Sequence, residues 1–279
     1  MTFSLEGTDA SIANALRRVM IAETPTVAIH FVRIENNTSP LNDEMLSHRL
    51  GLIPIVYRGD VRQLNSNRDC DCQGNCARCS VEFELHVRND GEDTIEVTSH
   101  DLRALSDMAV PLDDETLPRG ILICKLGKFQ EIRLTAIATK GVGKEHAKWS
   151  PVSTAVFQYE PSIRLNYRLL DELSPQDRQN FVGSCPARVF EIQDGRVVIP
   201  DVYRCTYTEE CMRWAEQVGK PDLVTVKQLE PPRFRFSVET TGSLKPAEIV
   251  QSCLITIQEK IRKIEDLLVT KQEEQQLPQ

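Results

Sequence analysis

The chain has 279 residues with a formal net charge of -8, 41% hydrophobic and 27% charged. That size suits two or three folding units with a real core, and the composition is that of a globular protein. An acidic balance argues against a main role in wrapping a polyphosphate, which takes clustered Lys and Arg.

No run of 18 or more apolar residues suggests a membrane span. The opening M-T-F-S-L-E-G-T-D has neither the basic nor the apolar region of a signal peptide. Nine cysteines, an odd number, suit a reducing, intracellular setting.

In chain order, Phe3 to Leu5 is expected to be a short strand, and Thr8 or Asp9 to cap the helix after it. Ile12, Ala15, Leu16, Val19 and Met20 recur at helical spacing and define one apolar stripe. Arg17 and Arg18 lie off it, as solvated charges or as contacts to a partner. Pro25 ends the helix, and the β-branched run Thr26 to Glu35 predicts a strand. His30 in that strand is read as a surface or core residue, not a ligand. Asn36 to Pro40 reads as a turn. Asp43 to Leu50 predicts a short helix stopped by Gly51 and Pro54.

The most informative stretch is R-D-C-D-C-Q-G-N-C-A-R-C, from Arg68 to Cys79. Cys70, Cys72, Cys76 and Cys79 follow a C-x-C-x3-C-x2-C spacing, with Gly74 and Asn75 at the bend. Zinc takes four soft ligands in a tetrahedron, and two short cysteine pairs across a tight turn can supply them. Four thiolates leave no open position, so the reading is one structural Zn2+. Free or disulfide-bonded thiols are the alternative; nothing marks the chain as secreted, which favours metal.

Val81 to Val87 alternates as a half-buried strand should, with Thr94 to Thr98 as its expected hairpin partner across N-D-G-E-D. Residues 99–119 read as loop, and Ile121 to Leu126 and Glu131 to Ala138 as two more strands around G-K-F-Q. Glu145 beside His146 invites an acid–base reading, but neighbours on an extended chain point apart and no further His or carboxylate motif supports an enzyme. Thr154 to Tyr159 is another strand.

Ser174 to Val182 predicts a helix with Pro175 at its first position. A strand pair is expected around Asp194-Gly195. Cys185, Cys205 and Cys211 invite an iron–sulfur reading. A cubane needs four thiolates, and Thr208 stands where the fourth would be expected, so no iron–sulfur cluster is expected.

Arg233 to Glu239 predicts a strand. A long helix follows from Pro246 to about Val269, with Lys271 to Gln279 as a polar tail. Val250, Leu254, Ile257, Ile261, Ile264 and Leu268 are spaced 4, 3, 4, 3, 4, a heptad seam widened by Ile249, Cys253 and Leu267. The pattern alone leaves open whether this face packs on its own domain or on a partner helix.

Four phrases are distinctive: S-I-A-N-A-L-R-R-V-M-I-A-E-T-P-T-V-A-I, L-N-D-E-M-L-S-H-R-L-G-L-I-P, K-G-V-G-K-E-H-A-K-W-S-P and V-E-T-T-G-S-L-K-P-A-E-I-V. They resemble the family formed by the third-largest subunit of eukaryotic RNA polymerase II, its archaeal counterpart and the amino-terminal domain of bacterial alpha. The resemblance covers nearly the whole chain.

It implies an α+β fold, with a discontinuous dimerisation domain (a sheet and two long helices) interrupted by a mainly β insert domain bearing the zinc loop. The implied divisions are 1–40 for the first dimerisation part, 41–149 for the insert, 150–170 for a returning strand, 171–225 for a ferredoxin-like remnant and 226–279 for the second dimerisation part.

It further implies a non-catalytic assembly subunit, working in the nucleus. Its partners would be a small alpha-like subunit, then the second-largest and largest subunits, with other small subunits around them and DNA reached only through the complex. Ile12, Leu16, Arg17, Arg18 and the six seam residues would form the partner interface. The counterpart shared by polymerases I and III generally lacks the four-cysteine cluster, which favours the polymerase II type. The equivalent subunit of plant polymerases IV or V, or a free-standing zinc-dependent nucleic-acid-binding protein, are the alternatives.

Overall fold

The computed structural model describes residues 1–72, 75–113 and 118–276, with the backbone alone given at 272–276. The chain forms two compact units: Met1, Ala15–Ala155 and Val238–Gln279 in one, Thr2–Asn14 and Val156–Ser237 in the other.

β1 (Thr2–Leu5), α1 (Ala10–Ala22), β2 (Pro25–Asn37), α2 (Asp43–Gly51) and β3 (Ile55–Tyr57) come first. They are followed by β4 (Ser80–Arg88), β5 (Ile95–Thr98), β6 (Arg103–Ala104), β7 (Ala109–Pro111), β8 (Leu122–Leu126), β9 (Glu131–Val142), β10 (Val152–Tyr159) and β11 (Pro161–Leu165). α3 (Tyr167–Asp171), α4 (Pro175–Ser184), β12 (Glu191–Gln193), β13 (Arg196–Val198), α5 (Glu210–Gln217), β14 (Val224–Gln228), β15 (Phe234–Thr240) and α6 (Pro246–Gln276) complete the chain. No helix among the described residues is long and apolar enough to cross a membrane.

The first unit is built on an antiparallel sheet of order β2-β9-β4-β6. Along β4 the side chains alternate: Val81, Phe83 and Leu85 are buried while Glu82, Glu84 and His86 face water, as a sheet with one covered face requires. Opposite them on β9 stand Ala138, Ala136 and Leu134, leaving room for Phe83. Leu46 and Leu50 of α2 join the same core. Asn42 caps α2, its side chain accepting from the Met45 amide. At α1 the capping residue is Asp9, whose Oδ1 accepts from the amides of Ser11 and Ile12 at 3.0 Å each.

Several expectations need correction. β4 does not pair with β5: its neighbours are β9 and β6, and β5 pairs with β8. At the point where that hairpin would turn stands Asn89, which is buried. Its side-chain amide donates to the carbonyls of Asp93 at 2.7 Å and Leu126 at 3.0 Å, and its own amide donates to Gln130 O. These bonds tie the 89–93 segment to the β8–β9 turn instead of closing a hairpin. Residues 99–119 are not all loop, since β6 and β7 lie among them and β7 pairs with β3. α6 continues past Val269 to Gln276, so the first part of the expected polar tail is helical.

The second unit holds antiparallel β11–β14 and β12–β13 pairs and the helices α3, α4 and α5. Its core joins Phe181, Phe190 and Leu223 with the buried thiols Cys185 and Cys211. Phe181 lies 4.9 Å from Phe190 and 5.7 Å from Trp214 between ring centroids. Burial pushes the Cys211 thiol up to about 11. Phe3 on β1 stacks on Phe236 on β15 at 4.9 Å.

Candidate metal centre

The four cysteines of the 68–79 segment converge. Their Sγ atoms all lie within 4.8 Å of one another. Cys70 is 3.7 Å from Cys76, and Cys79 is 3.6 Å from both Cys72 and Cys76. A tetrahedral zinc with sulfurs at about 2.3 Å requires sulfurs about 3.8 Å apart, so these separations match the edge of such a tetrahedron. A disulfide, by contrast, would bring two sulfurs to about 2.05 Å; all four cysteines are free thiols. Gly74, read as part of the bend between the pairs, lies outside the described residues.

Local backbone bonds shape the second pair. The amides of Cys79 and Ser80 both donate to Cys76 O, at 3.0 and 2.9 Å, and Ser80 Oγ adds a third bond there at 3.1 Å. The Asn65 amide donates to Arg78 O at 2.9 Å and closes the loop at its base. Cys79 is fully buried and directly precedes β4, so the last of the four thiols stands at the foot of the β2-β9-β4-β6 sheet.

The Arg78 amide holds the Cys76 thiol down to about 6, whereas its thiol neighbours, Cys70 first, push Cys72 up to about 12. Four converging thiols are a donor set that a soft dication would complete by displacing protons.

Sequence reasoning missed two supports of this loop. Lys140 on β9 donates through Nζ to the carbonyls of Leu64 and Arg62, pinning the approach to the cluster. Burial lowers its pKa. Nothing in the local sequence couples Lys140 to a carbonyl 76 residues earlier. Asn67 accepts a hydrogen bond from Cys79 Sγ at 3.7 Å; its place just ahead of the cluster was the available signal.

Glu145 and His146 do not form an acid–base pair. Glu145 faces Arg68 at 3.7 Å, and His146 Nδ1 accepts from the Lys148 amide at 3.1 Å as the cap of a short turn. His30 is a surface residue, its Nδ1 3.0 Å from Lys148 Nζ.

The candidate interface residues divide sharply. On α6, Ile249 and Cys253 are completely buried, and Cys253 Sγ donates to Leu16 O at 3.4 Å. The seam itself is open: Leu254 is 53% exposed, Ile261 54%, Ile264 58% and Leu268 56%. Val250 and Ile257 are half-buried. Lys260, exposed, pairs with Glu23 at 2.8 Å. On α1, Leu16 is buried by its own chain, Arg17 is half-buried, and Ile12 and Arg18 are exposed. The buried stripe of α1 uses Ala13, not Ile12, beside Leu16, Val19 and Met20.

Residues 32–156 match the family model described as the RNA polymerase Rpb3/RpoA insert domain. The chain is 44% identical over 271 residues to the DNA-directed RNA polymerase II subunit rpb3 of Dictyostelium discoideum, covering 94% of this chain and 89% of that protein. It is 42% identical to subunit 3 of DNA-directed RNA polymerases II, IV and V of Arabidopsis thaliana, over 93% of this chain and 85% of that one. Against the rpac1 subunit of polymerases I and III from Dictyostelium discoideum identity is 36%, over 95% and 78% of the two chains.

Proposed function

Because the chain belongs to the Rpb3/RpoA family of RNA polymerase subunits, we propose that it is the non-catalytic assembly subunit of nuclear RNA polymerase II, pairing with a small alpha-like subunit. The observation that carries this reading is the α6 seam. A helix anchored to its own chain by Ile249 and Cys253 leaves Leu254, Ile261, Ile264 and Leu268 more than half exposed. Contiguous apolar surface of that kind marks a site of association. Regular a/d spacing suits a second helix better than a globular surface.

In this reading Val250, Leu254, Ile257, Ile261, Ile264 and Leu268 meet the partner on α6, and Ile12, Arg17 and Arg18 meet it on α1. Leu16 contributes from beneath, by seating α6. The segments 1–40 and 226–279 form the dimerisation part and 41–149 the insert, with 150–170 returning to the former and 171–225 as a ferredoxin-like remnant. The heterodimer then receives the second-largest and the largest subunit.

The 44% against 36% identity to two polymerase subunits of one organism supports the polymerase II type. The four-thiol cluster supports it too. Cys70, Cys72, Cys76 and Cys79 hold one Zn2+, which when bound ties the two halves of the loop together. The chain supplies no carboxylate motif of the kind that holds catalytic magnesium, so transferase activity belongs to the assembly. No iron–sulfur cluster is expected at Cys185, Cys205 and Cys211, since Thr208 supplies no thiolate.

The test is co-expression with a small alpha-like polymerase subunit from the same source. The chain is expected to aggregate alone and to elute as a soluble 1:1 complex with that subunit. A well-behaved monomer that ignores the small subunit contradicts the proposal.

A further inference from the structure

The turn between β8 and β9 carries a bulky residue in a conformation that favours glycine. Phe129 has φ 61, where a side chain meets its own backbone and only Gly, Asn or Asp settle readily. Burial does not explain it, since Phe129 is 64% exposed and is the most exposed of the large apolar residues among those described.

The surrounding bonds hold the strained shape in place. The Phe129 amide donates to Asn89 O at 2.7 Å, the Gln130 amide to Gly127 O at 3.2 Å, and the Gly127 amide to the Gln130 side chain at 2.7 Å. A strained backbone held this firmly, with an aromatic ring presented to water, is the signature of a residue placed for contact. Aromatic side chains also carry a large share of the energy where they fill a partner's pocket.

The rim indicates what such a pocket looks like. Asn89 ties the turn to the segment that bears Asp90, Glu92 and Asp93, all exposed. The cations beside them are already engaged. Lys128 pairs with Glu92 and lies 5.0 Å over the Phe129 ring, and Arg88 pairs with Asp90 at 2.8 Å. Three carboxylates against two cations leave the rim acidic.

We infer that Phe129 is an anchor of the insert domain, seating in an apolar pocket with a lysine- or arginine-bearing rim on another subunit of the polymerase. This rests on the assembly role proposed above but uses a different surface from the α6 seam. The pairing of α6 therefore tests that role separately.

The experiment places the photo-cross-linker p-benzoylphenylalanine at position 129 in polymerase purified through this chain, and maps the cross-linked peptide by mass spectrometry. In parallel, the thermal midpoint of Phe129→Gly in complex with the small partner subunit is compared with the parent. The expected result is one intermolecular cross-link to an apolar peptide beside Lys or Arg. Phe129→Gly should melt no lower than the parent, because glycine relieves the strain. The polymerase carrying it should release the cross-linked subunit at half the salt concentration or less, with Phe129→Leu in between. Cross-links confined to this chain, or a Phe129→Gly complex that melts several degrees lower with unchanged salt resistance, would overturn the inference.

Discussion

The thiol of Cys253 donates to the carbonyl oxygen of Leu16, joining α6 to α1 at a point where both residues are buried. This single contact shows how a helix with two apolar faces divides its work. Ile249 and Cys253 fill the chain's own core, and Leu254, Ile261, Ile264 and Leu268 on the neighbouring face are exposed.

Substitutions on the two faces should therefore separate. Ile249→Ala removes a fully buried side chain and is expected to cost about 2–4 kcal/mol of stability, read from chemical denaturation of the heterodimer. Ile264→Ala, at an exposed position, should leave the fold intact and weaken pairing with the small subunit. Equal loss of stability from both would erase the distinction.

Metal removal gives a second prediction. Binding of a structural zinc is coupled to ordering of its ligands, so a strong chelator should release one equivalent of zinc. Limited proteolysis should then cut between Asn65 and Cys79 while β4 and β9 stay protected. Cys76→Ser should give the same pattern without chelator. Metal content of zero in the untreated protein would contradict the assignment.

Asn89 offers a third. Its buried side-chain amide donates to two carbonyls, and removing it leaves both acceptors without their donor. Asn89→Ala is expected to destabilise the insert by about 1–3 kcal/mol. The loss should appear as faster amide exchange in 89–93 and 126–130.

A fourth concerns pH. Burial, and then the Lys148 ammonium, lower the pKa of His30, and the neutral ring accepts from Lys148. A histidine lowered on folding contributes stability that is complete above its unfolded pKa, about 6.5, and declines as pH falls through that value. His30→Gln should thus narrow the drop in thermal midpoint between pH 7.5 and pH 5.5. An unchanged drop would remove His30 from the account.

What could be read in advance follows the range of the forces involved. α1, α2 and the α6 seam were legible because helical periodicity is local, and the alternation of Val81, Phe83 and Leu85 announced β4 for the same reason. The cysteine spacing predicted the convergence that the geometry displays. β4's true neighbours are not legible, since its ladder with β9 and the bonds from Asn89 to Leu126 and Gln130 join residues far apart along the chain. Likewise the pattern of α6 located two apolar faces but did not say which one α1 would cover. The heptad pattern places Ile249 and Cys253 at the margin of the seam; in the structure they are the buried side of α6. β3 and β7 were missed because three residues carry too little periodicity to stand out.

The most direct test is native mass spectrometry of the chain co-expressed with a small alpha-like subunit, with and without Ile261→Glu and Ile264→Glu together. The account predicts a 1:1 heterodimer for the parent and for an Asp266→Arg control, and loss of at least a hundredfold in affinity, about 3 kcal/mol, for the double variant. A heterodimer that persists undiminished with two carboxylates in the seam would contradict it.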